Sequence, residues 1–132
     1  MEKEELEKLH KVIENNNKWP LILEGVSSDM FPTAIIIPSN IPSEELGVVG
    51  DKFPLWTMEL RIRGKGNTRP LLIIDNIDEI DKDDQEKFVG ILKYHKTNGF
   101  NFPQDTQIIL TASDVSKISR RITSVCIIYK AE

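Results

Sequence analysis

Residues 71–81 read LLIIDNIDEID. Four apolar residues stand in a row and then run into an acidic turn. A strand with one wet face alternates apolar and polar side chains, whereas a strand apolar at successive positions is buried on both faces. Such a strand needs cover above and below, and helices flanking a parallel sheet supply it. The same signature recurs in WPLILEG, TAIIIPSN, TQIILTAS and TSVCIIYK. The chain is therefore expected to be α/β: a three-layer sandwich around a mainly parallel sheet of about five strands.

The segments between these strands fit that plan. Residues 3–14 carry Leu6, Leu9, Val12 and Ile13 on one helical stripe with Glu and Lys opposite, and Asn15, Asn16 and Asn17 end the helix. VSSDMFP reads as a loop. Pro38 stops the second strand by lacking an N–H, and the stretch to residue 54, punctuated by Pro and Gly, reads as loop with one helical turn at SEEL. In LWTMELRIR, Trp56, Met58, Leu60 and Ile62 alternate with polar residues, which predicts a strand, although Leu55, Met58 and Ile62 also fit one helix face. DKDDQEKFVGILKYHKTNG predicts a helix: Asp81 caps it with Asp84 three residues on, Phe88, Ile91, Leu92 and His95 form its core stripe, and Asn98-Gly99 ends it. SDVSKISRR reads as a short helix or turn.

With 132 residues the chain is expected to form one domain over 1–132, large enough to bury a core without disulfides or metal. Its net charge of −4 disfavours a nucleic-acid partner, because phosphate binding draws on clustered Lys and Arg. Cys126, the single cysteine, lies in the apolar run VCIIY and reads as a core residue; a lone thiol fits a reducing compartment. The N-terminus is too charged for a signal peptide and no apolar run reaches the length of a membrane span, so a soluble cytoplasmic protein is expected.

The second half of the chain resembles the core of AAA+ ATPases, within the P-loop NTPase group, and most of all their MoxR-like branch. LLIIDNIDEI is similar to a Walker B strand and its acidic turn. DQEKFVGILKYHKTNGFNFPQDTQIILTAS resembles the family's helix, short insert and sensor 1 strand, and SDVSKISRRITSVCIIYK the stretch that leads through an Arg-containing turn to the last core strand. The N-terminal helix and WPLILEG are similar to the family's opening helix and first strand. The resemblance covers residues 70–130 well and 1–25 loosely. It implies roles for particular residues. Asp75 matches the Walker B Asp that holds Mg²⁺, and Asn76 stands where a Glu polarises the attacking water. Ser113, or in second place Thr111, matches sensor 1. Arg120 or Arg121 falls where an arginine finger would be.

The departures from the family decide the expected function. Asn76 is neutral and cannot act as a general base. A P-loop needs G-x-x-x-x-G-K-[ST], so that backbone N–H groups wrap the phosphates and Lys and Ser or Thr complete the site. After the first strand this chain has GVSSDMFPTAIIIPSN, with no second Gly, no Lys and an acidic Asp29. RGKGNTRP carries Gly-Lys but in the wrong place, directly before the Walker B-like strand, and GVVGDKF has the wrong spacing. The helical lid that carries sensor 2 in the family is expected to be missing, since the sequence stops just after the last core strand.

Other constellations are weaker. DNIDEIDKDDQE lacks the turn Gly of an EF-hand loop, leaving at most weak Mg²⁺ binding at Asp75. His10 and His95 read as partly buried helix residues. Ser27 and Ser28 lie in no nucleophile elbow. Trp19 and Trp56 read as packing or interface residues. The sequence thus predicts a reduced, degenerate P-loop NTPase-like domain that is non-catalytic, with no catalytic residue, no resident metal and no cofactor. Its expected partner is a protein, either an active AAA+ ATPase or a second copy of itself. The competing expectation is weak ATP and Mg²⁺ binding through Asp75, Ser113 and an atypical backbone cradle at residues 25–31. A nucleic-acid accessory role has little support.

Overall fold

The computed structural model describes residues 3–16 and 19–131. In chain order the elements are α1 (Lys3–Asn15), β1 (Leu21–Glu24), β2 (Ile35–Pro38), α2 (Leu55–Arg63), β3 (Leu71–Asp75), α3 (Lys82–Gln85), α4 (Val89–Tyr94), β4 (Lys96–Thr97), β5 (Phe100–Asn101), β6 (Gln107–Ala112), α5 (Arg120–Thr123) and β7 (Ile127–Lys130). Five strands form one parallel sheet in the order β2-β3-β6-β1-β7, with Ile73 and Leu21 both opposite Ile109 and Ile127 opposite Leu21. The expected α/β architecture with a five-stranded parallel sheet is the one observed.

Alternate residues of the strands feed two cores. On one face Leu21, Leu23, Ile73 and Ile109 pack against Leu9 and Ile13 of α1 and against Val26 and Phe31 from the segment after β1. On the other, Ile22, Leu72, Ile74, Ile108 and Leu110 meet Trp56 and Leu60 of α2, Ile91 and Leu92 of α4 and Ile122 of α5. Burial on both faces holds fully for the central strand β6. It fails at the edges, where Ile36 of β2 and Ile127 and Ile128 of β7 are exposed, because an edge strand lacks a neighbour on one side and the helices cover the middle of the sheet.

Three local expectations are corrected. LWTMELRIR is a helix, not a strand. Pro54 occupies its N-cap, the Thr57 hydroxyl donates to the Pro54 carbonyl at 2.6 Å, and the run contains good helix formers and no Gly or Pro. The alternation misled because Trp56 and Leu60, which share a strand face, are also i and i+4 on a helix. Residues 81–99 are not one helix. Asp81 sits at the N-cap without a side-chain cap bond, residues 86–88 tighten into a 3₁₀ turn, and α4 ends at His95, which takes the left-handed conformation (φ 55°). Asn98-Gly99 instead turns the hairpin β4–β5, a role that suits Asn-Gly, and Gly99 has φ +78° with Val48 packed so close that a Cβ would meet its Cβ at 2.7 Å. His10 is exposed, not partly buried. Asn16 is buried beyond the end of α1, and Asn17 lies outside the described residues. Among the described residues, no helix is long and apolar enough to cross a membrane.

Candidate functional site

In parallel α/β sheets the strands' C-terminal ends are where ligand sites are built. Here β3, β6 and β1 deliver Asp75, Thr111 and Glu24 to that rim. Asp75 ends β3 with its carboxylate engaged on both oxygens. The Thr111 hydroxyl donates to its Oδ1 at 2.5 Å and the Ser28 hydroxyl to its Oδ2 at 3.2 Å. Thr111 Oγ1 also accepts from the Asn76 backbone N–H at 2.9 Å, and the Ser39 hydroxyl donates to the Asn76 carbonyl at 2.9 Å. Asn76 itself is left-handed (φ 57°, ψ 49°), a conformation that Asn tolerates better than most residues, and its side chain is exposed.

The segment after β1 is packed and self-bonded. Gly25, with φ +81°, donates its N–H to the Ala112 carbonyl at 2.9 Å. Residues Ser28–Met30 form a 3₁₀ turn in which Asp29 N–H donates to Ser27 Oγ, Met30 N–H to the Ser27 carbonyl and Phe31 N–H to the Ser28 carbonyl. Val26 and Phe31 anchor the turn in the α1-side core, which lays the buried Ser28 onto Asp75. The Asp29 side chain is exposed.

The remaining acids of the rim also bind the chain. Asp78 Oδ2 accepts from the N–H groups of Ser113 and Asp114 at 3.0 and 2.9 Å, while its buried Oδ1 has no partner among the described residues. Glu24 accepts from Val115 N–H at 2.7 Å and pairs with Lys130 at 3.5 Å. Asp114 accepts from the hydroxyl and N–H of Ser116, which hold its carboxyl below the usual range. Among the described residues no group of three or more His, Cys, Asp or Glu is placed to hold a metal ion.

The structure therefore brings Asp75 and Asn76 together with Thr111, while Ser113 joins them only through its backbone and Asp78. Arg121 pairs with Glu86 at 2.8 Å on the helical side, and the Arg120 side chain is exposed. Two contacts that shape the site were not legible from the sequence. Ser28 makes one: nothing in SSD marks which hydroxyl turns inward. Gln85 makes the other. Fully buried, it donates to the carbonyls of Ile77, Ile80 and Lys117 and accepts from Ser119 N–H at 2.7 Å, tying the acidic turn to the segment before α5. A Gln among charged neighbours in DDQEK gives no signal of burial.

No family model matches the sequence, and no curated protein matches it significantly. Among solved structures the chain is similar to a DNA polymerase III gamma subunit-related protein from Thermotoga maritima, with a TM-score of 0.57 and 14% identity over 97% of this chain and 46% of that one. It is likewise similar to a RuvB mutant from Thermotoga maritima, with a TM-score of 0.53 and 14% identity over 98% of this chain and 44% of that one. At this identity the likeness concerns the fold alone, and it supports an AAA+-like fold of the P-loop NTPase type. The chain spans less than half the length of either structure.

Proposed function

We propose that the chain is a non-catalytic AAA+-like module, similar to the MoxR-like branch, that acts by binding protein. One observation carries this: the place of a phosphate loop is filled by a packed turn whose N–H groups at Gly25, Asp29, Met30 and Phe31 are already donated within the chain. A phosphate cradle works by pointing such groups at the ligand. The same turn sets Ser28 on Asp75, so the carboxylate that would face Mg²⁺ bonds to two hydroxyls. Asn76 supplies no base. What survives is a scaffold whose rim acids bind backbone, in which Asp75, Asn76 and Ser113 are vestigial nucleotide-site positions. Arg121 bridges a carboxylate, and Arg120 remains available to a partner. The partner is a protein, an active AAA+ ATPase or a second copy, met in the cytoplasm.

The test is titration of a fluorescent ATP analogue, with and without Mg²⁺, on wild type and Asp75→Ala. The proposal expects no saturable binding up to millimolar nucleotide. Saturable binding that needs Mg²⁺ and Asp75 overturns it and establishes the weak ATP-binding alternative.

A further inference from the structure

The outer face of α2 is apolar and uncovered. Leu55, Met58 and Ile62, at i, i+3 and i+7, are 71%, 51% and 69% exposed. A helix on a sheet ordinarily turns one apolar stripe inward and a polar face outward. α2 buries Trp56 and Leu60 and keeps a second stripe outside. Val49 and Phe53, also exposed, continue it past the helix N-terminus, where Phe53, Leu55 and the buried Trp56 line a groove of about 560 Å³.

The charges along this strip are polarised. Glu44 and Glu45 line the groove at the N-terminal end of α2, with Asp51 in the adjoining turn. Lys52 sits among these acids, and Glu59 lies midway along the helix. Arg63 and Lys65 lie at the other end, whereas the Arg61 guanidinium reaches back toward Phe53. Arg61 lies over the rings of Phe53 and Phe100 at 5.2 and 5.7 Å, and Arg63 donates to the Thr33 carbonyl. Among the described residues none of these acids is ion-paired to these cations.

We infer that α2 is a self-docking surface, pairing antiparallel with α2 of a second copy across a two-fold axis near Met58. The inference rests on the protein-binding function proposed above and names its partner. A two-fold axis makes a patch meet itself reversed. Leu55 then faces Ile62 of the second copy, the two Met58 side chains pack at the axis, and each acidic end meets a basic end. A parallel pairing would stack like charges, and a partner helix of one sign would be repelled at one end. The size also fits. The exposed apolar strip is on the order of 500 Å². Pairing two copies buries about 1,000 Å², the lower bound for a specific interface, before the charged rims are added.

The test is sedimentation equilibrium of the purified full chain over a concentration series. The variants are Ile62→Glu, Asp51→Lys, Lys65→Glu and the Asp51→Lys/Lys65→Glu double. All these positions are exposed, and circular dichroism checks that each variant folds. Expected are a reversible dimer that weakens with added salt and a dissociation constant raised at least about 100-fold by Ile62→Glu. Each charge reversal weakens the dimer, and the double variant recovers it. A chain monomeric at every concentration, or a dimer indifferent to Ile62→Glu, overturns the surface. A double variant no better than the singles overturns the antiparallel arrangement. These outcomes are independent of nucleotide binding, which alone bears on the non-catalytic assignment.

Discussion

Thr111→Val removes one hydroxyl and almost no volume. That hydroxyl donates to Asp75 Oδ1 at 2.5 Å and accepts from Asn76 N–H at 2.9 Å, and Thr111 is buried. Losing a bond to a carboxylate costs about 1.5–3 kcal/mol where the site is closed, and an orphaned N–H about 1–3 kcal/mol. Asp75 is half-buried, so water recovers part of both losses. The net expectation is destabilisation by about 2–3 kcal/mol. For a chain between the small and mid-sized domain classes this lowers Tm by roughly 6–15 °C. Thr111→Ser keeps the hydroxyl and loses one buried methyl, about 0.8 kcal/mol. Urea unfolding followed by circular dichroism gives both numbers. A Thr111→Val loss below about 0.5 kcal/mol, or a Thr111→Ser loss equal to it, would refute the hydroxyl's role as the clasp of Asp75.

Gln85→Leu takes the shared amide donor from the buried Ile77 carbonyl and the part-buried Ile80 and Lys117 carbonyls and the acceptor from Ser119 N–H, and the same assay should read a loss of about 2–3 kcal/mol. The pKa of His95 is lowered by burial first and by the Arg69 charge second, from an ordinary 6.5. The unfolded chain then takes up a proton that the folded chain resists, so this contribution is complete above pH 6.5 and lost as pH falls toward the folded value. His95→Asn, which keeps a residue tolerant of φ 55°, should flatten the fall in stability as pH drops below 6.5. Burial pushes the Cys126 thiol up to about 12, so alkylation at mildly alkaline pH should run at least about 100-fold slower in the native chain than in urea.

Burial on both faces was written in the strands themselves: LLII and QIIL have no polar face to offer, and a covered parallel sheet follows. The placement of Asp75 at a strand end was legible for the same reason, because the apolar run stops there. Helix against strand at 55–63 was not legible, since Trp56 and Leu60 satisfy both periods and no side chain caps the helix N-terminus to mark its start. The hairpin at Asn98-Gly99 was masked by an apolar stripe that leads up to it, which His95 ends by turning left-handed. The clasp on Asp75 was hidden for a different reason. It joins Ser28, Asp75 and Thr111 from three elements, and only the packing of Val26 and Phe31 decides that Ser28 points inward.

The central claim is that four N–H groups of the turn after β1, those of Gly25, Asp29, Met30 and Phe31, are donated within the chain and are not offered to a phosphate. The direct measurement is a two-dimensional ¹H–¹⁵N titration of the labelled chain with Mg-ATP, read at the amides of Gly25, Asp29, Met30 and Phe31. The account predicts that all four stay unshifted at millimolar nucleotide and that Met30 and Phe31 show slowed hydrogen exchange. Saturable shifts centred on these four amides, abolished by Asp75→Ala, would contradict it.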